Sequence, residues 1–122
     1  MRKTLTKSER LSKQSDLKTV FATGSRSNTA GAKVVYLKNN LSYSRFAITL
    51  VRKFGNSVER NSVKRLFREL YRLNKQNILI GFDIIIILYP GKYSGEMRKN
   101  QFFTLLNKAY LNKKANVLVE NI

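Results

Sequence analysis

The stretch from Arg52 to Arg72 constrains this chain more than any other. It reads Arg-Lys-Phe-Gly-Asn-Ser-Val-Glu-Arg-Asn-Ser-Val-Lys-Arg-Leu-Phe-Arg-Glu-Leu-Tyr-Arg. A Gly-Asn turn opens it, and a helix with two incompatible faces follows. At about 100° per residue, Arg60, Asn61, Lys64, Arg65, Arg68 and Arg72 fall within an arc of roughly 140°. Val63, Leu66, Phe67 and Leu70 take the opposite side, at the i, i+3, i+4, i+7 spacing of a core-facing stripe. Leu73 extends that stripe and Tyr71 lies at its boundary. One face wants a hydrophobic core; the other wants a polyanion.

The charge of the whole chain points the same way. It holds 24 Lys and Arg against 7 Asp and Glu, a net charge of +17 over 122 residues. A compact domain so charged repels itself, and an anionic partner relieves the repulsion. Nucleic acid leads, because each phosphate contact releases counterions. A membrane surface would need an uncommitted apolar helix face, and here the apolar faces are needed for the core. The hydrophobic fraction of 43% and the single proline do not describe a disordered tail.

Along the chain, residues 1–14 are polar and basic, and are expected to be mobile or to order only on a partner. Ser15 caps a short helix carrying Leu17, Val20 and Phe21, with Gly24 as its stop. Ser25 to Gly31 reads as a loop or a weak edge strand. Ala32 to Lys38 and Ser44 to Val51 alternate as strands. The basic helix spans Ser57 to Asn74. Phe82 to Tyr89 is nearly unbroken in apolar residues, as a strand covered on both faces is. Ser94 caps a last helix with Phe102, Leu105, Leu106, Ala109 and Tyr110 at helical spacing, and the tail from Lys113 is left unassigned. The pattern is one α+β domain over 1–122, with helices packed on a sheet. No apolar run is long enough to span a bilayer and no secretory leader opens the chain, so a cytoplasmic protein is expected.

Protein-borne catalysis is poorly supplied. There is no histidine and no cysteine. That excludes Ser-His-Asp and Cys-His chemistry and Cys-rich zinc sites. The acids are scattered, and a metal-dependent nuclease needs several that converge. Glu59 and Glu69, on the basic helix, read as helix-surface charge pairing. Polyanion binding is well supplied: no acid interrupts the arc from Arg60 to Arg72, and Arg presents a planar fork to phosphate. Gly55-Asn56 reads as a strand-to-helix turn that also leaves N–H groups where phosphates bind. Phe21 and Tyr36 read first as core residues, and second as walls of a groove where unpaired bases stack.

At this point the residues resemble a known family. Lys53-Phe54-Gly55-Asn56-Ser57-Val58-Glu59-Arg60-Asn61-Ser62-Val63-Lys64-Arg65-Leu66-Phe67-Arg68-Glu69 is similar to the RNR motif of the bacterial ribonuclease P protein component. Ser15 to Phe21 with Gly24, Val34-Val35-Tyr36, Phe46 to Leu50, and Asp83 to Ile86 with Pro90 look like that family's first helix and strands. The resemblance implies an αβββαβα sandwich like the second domain of a small-subunit ribosomal protein, with a left-handed βαβ crossover. It implies a subunit of an endoribonuclease that removes the 5′ leader of precursor tRNA, with the chemistry done by a catalytic RNA and its Mg2+. Partners would be that RNA and precursor tRNA, with no DNA and no membrane. Carried over, Phe21, Tyr36 and Thr49 would line the leader cleft, with Lys53, Arg60 and Asn61 at its edge. Arg52, Lys64, Arg65, Arg68 and Arg72 would face the catalytic RNA, no protein side chain would be catalytic, and the Mg2+ sites are left unlocated. Three residues depart from the family: Ser62 stands for the motif's second Arg, Leu17 for a Phe, and Val51 for a small hydroxyl residue. Two other readings compete: a ribosomal or ribosome-assembly RNA-binding protein of similar fold, and a protein-only nuclease using Asp16 or Asp83.

Overall fold

Seven regular elements follow one another: α1 (Gln14–Thr23), β1 (Ser25–Thr29), β2 (Ala32–Lys38), β3 (Arg45–Leu50), α2 (Ser57–Asn74), β4 (Phe82–Leu88) and α3 (Gly95–Lys108). They come from a computed structural model, in which residues 6–113 are described. The order is the αβββαβα pattern read from the sequence. Two short 3-10 turns, Lys7–Glu9 and Lys75–Asn77, flank the set.

The sheet order is β1-β2-β4-β3. β1 and β2 form an antiparallel hairpin, β2 runs antiparallel to β4, and β3 runs parallel to β4. The β3–α2–β4 connection therefore joins neighbouring parallel strands, which requires a crossover such as a helix. β4 is central and flanked on both sides. Its Ile84, Ile85 and Ile86 are fully buried, as a strand covered on both faces demands. β1, which the sequence left between loop and strand, is an edge strand of five polar residues that pairs with β2 alone in the sheet and takes a hydrogen bond from Lys108 of α3 at Asn28 O, 2.9 Å. The turn to β2 passes through Gly31 at φ +80°, where a Cβ would meet the Tyr93 ring at 2.5 Å.

Two cores lie on the two sheet faces. Val34, Phe46, Leu50, Ile84, Ile86 and Leu88 face α2 and α3, where Phe67, Leu70, Tyr71, Phe102, Leu105 and Leu106 meet them. Phe46 stacks on Tyr71 at 4.2 Å, and Phe67 meets Phe102 edge-on at 6.1 Å. The smaller core, Leu11, Val20, Val35 and Ile85, lies beneath α1.

The helix ends follow different rules. Asn56 and Ser94 accept hydrogen bonds from the backbone N–H groups of Glu59 and Met97, at 2.9 and 3.1 Å. Ser15 caps nothing: α1 begins at Gln14, two residues before a Ser15 cap would start it, with Lys13 in the cap position and no side-chain cap. What fixes α1 is tertiary. Arg45 Nε and Nη2 donate to Asp83 at 2.8 and 2.6 Å, and Nη1 donates to Asp16 on α1 at 3.1 Å. Asn39 also donates to Asp83 at 2.9 Å. These bonds raise the Arg45 pKa, chiefly through Asp83.

The N-terminal expectation needs correction from residue 6 onward; residues 1–5 lie outside the described ones, as do 114–122. Leu11 is buried and its N–H donates to Phe46 O at 2.9 Å, beside a bridge between Arg10 and Phe46. Lys75 donates to both Glu9 oxygens at 3.0 and 3.1 Å. Burial alone would raise the Glu9 carboxyl, but hydrogen bonds from Lys75 and Thr6 hold it below its ordinary value. Leu11 and the Arg10 bridge tie the segment to the edge of β3, and the Glu9–Lys75 pair ties it to the turn after α2, neither of which its polar composition reveals.

Candidate nucleic-acid interface

The basic face of α2 is real but narrower than the wheel suggests. Tyr71, placed at the boundary, is buried, and Arg60 and Lys64 are half-buried. Arg60 Nη1 reaches back to Val51 O at 3.4 Å, which ties the helix to the end of β3. Asn61, Arg65 and Arg68 are exposed. Arg65 and Arg68 make no hydrogen bond or ion pair among the described residues. Arg72 is half-buried and is engaged by Glu69 one turn earlier, whose carboxyl it holds below the ordinary range. Arg52 and Lys53, in the β3–α2 turn, are exposed. The cationic surface thus runs from that turn along one side of α2.

Beside it lies a second feature. Arg68 lines a depression of about 150 Å³ together with Arg10, Leu11, Ser12, Phe46, Ala47 and Ile48. The N-terminal segment forms one wall and β3 its floor. Ala47 also belongs to the apolar patch under α1, so the depression and the α1 side of the sheet are continuous at β3. α1 lies over β2 and β4 and leaves Ala47 and Thr49 half-exposed. Leu17, Phe21, Leu37 and Ile87 are half-buried around the same patch. The result is a shallow cleft with an apolar floor and cationic flanks. Charges along the flanks can hold a strand's phosphates while bases stack on apolar surface, the arrangement single-stranded nucleic acid requires.

The structure brings together Phe21 and Thr49 on this cleft face, with Arg60 and Asn61 beyond the end of β3 and Lys53 in the turn that follows it. It does not bring Tyr36. Side chains alternate along β2, and Val35 is the residue that points to α1. Tyr36 therefore faces the other way, packs with the α2–α3 core and contacts Phe82 at 6.4 Å between ring centroids. Leu37 occupies the cleft position instead. A one-residue difference in register moves a side chain through the sheet. The sequence reasoning also missed Arg10, Ser12 and Ala47, which only the docking of the N-terminal segment puts beside Arg68. Strand alternation could have found Leu37, once Val35 was known to face α1.

The carboxylates divide differently from the sequence reading. Glu69 pairs as expected, but the Glu59 side chain makes no bond among the described residues. Asp16 and Asp83, the acids a protein-only nuclease would use, are both held by Arg45. Among the described residues no three His, Cys, Asp or Glu side chains gather as a metal site.

This geometry has close counterparts. The family model described as "Ribonuclease P" matches residues 5–114. The chain belongs to the ribonuclease P protein family. A ribonuclease P protein component from Petrotoga mobilis is 40% identical over 97 residues, 80% of this chain and 78% of that protein. The solved ribonuclease P protein of Thermotoga maritima superposes with a TM-score of 0.72 at 33% identity, covering 82% of this chain and 96% of that one. A Staphylococcus aureus ribonuclease P protein, a mutant with defective mRNA degradation activity, gives 0.82 at 26% identity over 86% and 91%. Ribonuclease P proteins thus share the mixed α/β fold described above. Among the described residues no helix is long and apolar enough to cross a membrane.

Proposed function

We propose that the chain is the protein subunit of a ribonuclease P, which binds a catalytic RNA through α2 and the 5′ leader of precursor tRNA in the cleft beside α1. The observation that carries this reading is the acid-free exposed arc of Asn61, Arg65 and Arg68, whose Arg68 lines one depression with the half-exposed Ala47 of β3. Arg52, Lys64 and Arg72 extend the RNA face. Phe21 is the aromatic residue on the α1 side of the cleft, and Lys53, Arg60 and Asn61 flank the path of the leader.

The bond cleavage belongs to the RNA in this reading. Four of the six described acidic side chains are already engaged, Asp16 and Asp83 by Arg45, Glu9 by Lys75 and Glu69 by Arg72, and the other two, Glu59 and Glu96, do not gather into a cluster of three ligands. Mg2+ would be held by the RNA and would supply Lewis-acid activation for phosphodiester hydrolysis. The protein's own residues position and grip. Its cleft is more aliphatic than aromatic, with Leu17 and Leu37 beside Phe21. Leader binding should therefore rest on phosphate contacts more than on base stacking.

The test is leader dependence. The reconstituted complex should bind precursor tRNA more tightly than mature tRNA, and the RNA alone should show a smaller difference. Equal discrimination with and without the protein would remove the leader from its role.

A further inference from the structure

A cavity of about 240 Å³ opens between the first half of α2, the loop around Gly91 and the start of α3. Phe54, Glu59, Ser62, Leu66, Tyr93 and Arg98 line it. It lies on the opposite side of α2 from the leader cleft, and Ser62 is one turn from Arg65, within side-chain reach.

Its charges are unusual. Arg98 is 4% exposed, yet every acceptor it uses is neutral. Nη1 donates to Gly31 O at 3.2 Å and to Gln101 Oε1 at 3.0 Å, and Nη2 to Tyr89 O at 2.8 Å. Its guanidinium lies 4.5 Å from the Tyr93 ring centroid and 5.3 Å from that of Phe54. Nε–H makes no hydrogen bond among the described residues. Glu59 lines the same cavity, also without a partner, and the two do not form an ion pair. A free carboxylate is conspicuous in a chain of net charge +17. An occupant that suits both groups is planar, with apolar faces for Phe54, Leu66 and Tyr93. It offers hydrogen-bond donors to Glu59 and acceptors to Arg98 and Ser62.

Among nucleobases, guanine has that pattern. Its N1–H and N2–H₂ are adjacent donors that a carboxylate accepts together, and its O6 and N7 are adjacent acceptors suited to Arg. Adenine and cytosine each pair one amino donor with acceptors, and uracil offers a single donor between two acceptors. Unpaired bases splayed from a loop are what proteins read in RNA. We infer that this cavity binds an unpaired guanine of the RNA that lies on α2, with Glu59 reading its donor edge. The identity of that RNA rests on the proposed function; the base preference does not.

The experiment titrates the full chain with GMP, IMP, AMP and CMP and follows backbone amide NMR shifts. Because all four carry the same phosphate, differences report the base. GMP should shift Phe54, Glu59, Ser62 and Tyr93 and bind about tenfold tighter than AMP or CMP, with IMP between because it lacks N2. Glu59 is exposed, so Glu59→Gln keeps the fold and should bring GMP to the AMP level, while phosphate-driven shifts at Arg65 and Arg68 persist. Equal binding of all four nucleotides, shifts confined to Arg65 and Arg68, or unchanged GMP preference in Glu59→Gln would each overturn the guanine site. A GMP preference in a chain that fails to bind the catalytic RNA would defeat only the proposed function.

Discussion

Removing Arg65 and Arg68 together isolates the electrostatic part of RNA binding. Both side chains are exposed and make no hydrogen bond or ion pair among the described residues, so the double Ala variant loses little within the fold. Its stability should change by less than about 1 kcal/mol. Its RNA affinity should change in a salt-dependent way. Each phosphate contact contributes about 0.7 to 0.9 to the slope of log K against log salt, so two contacts contribute about 1.6. Raising salt from about 50 to about 200 mM should then narrow the gap between wild type and variant by about tenfold. Arg72→Ala should change the slope less, because Glu69 already neutralises part of that charge. Fluorescence anisotropy of the labelled catalytic RNA over a salt series measures the slopes, with exposed Lys99→Ala on α3 as the control. A double variant with the wild-type slope would place Arg65 and Arg68 off the interface and refute the assignment of this face.

Four further outcomes follow from the packing. Phe21→Ala should reduce discrimination between precursor and mature tRNA by about 5-fold or more, since stacking one base is worth about 1 to 3 kcal/mol. Tyr36→Leu should leave that discrimination unchanged, and an equal loss would contradict the face assigned to Tyr36. Arg45→Met strands Asp83, which is 5% exposed, and should cost about 2 to 4 kcal/mol in urea unfolding. Adding Asp83→Asn should recover part of it; a loss near zero in the single variant would show that the network does not hold α1. Glu9 has its folded-state pKa lowered, so its stabilising contribution is present above the usual carboxylate range and fades as pH falls through the depressed value. The stability gap between wild type and Glu9→Gln, from urea titrations between about pH 7 and about pH 3, should close toward acid; a constant gap would mean that the Glu9 carboxylate does not carry it.

Much of the architecture was legible because local and global signals agree. α2 matches its expected bounds, since Asn56 supplies a true cap and the Val63–Phe67–Leu70 stripe has a core to meet. β2 and β4 follow from alternation and from an unbroken apolar run. Other features depend on long-range contacts that no local pattern encodes. β1 is a strand because β2 offers an edge, although Ser25–Thr29 has little strand propensity. Residues 6–13 are placed by Leu11 and Glu9, whose partners Phe46 and Lys75 lie far along the chain. Alternation showed that Val35 and Tyr36 point to opposite faces, but not which face α1 covers. Ser62 has the clearest change of meaning. As a gap in an arginine motif it suggests weaker RNA binding; in the fold it borders a cavity whose other polar walls, Glu59 and Arg98, carry opposite and unpaired charges.

The central claim is division of labour between a protein that grips and an RNA that cuts. Cleavage of a precursor tRNA at low Mg2+ tests it most directly, using the catalytic RNA encoded by the same genome, the purified chain, and both together. The RNA alone should be slow, the protein alone inactive, and the mixture fast, with activity unaffected by Asp16→Asn and retained in Asp83→Asn once its lower stability is allowed for. RNA-free cleavage lost in either aspartate variant, or no stimulation of the catalytic RNA by the protein, would contradict the claim.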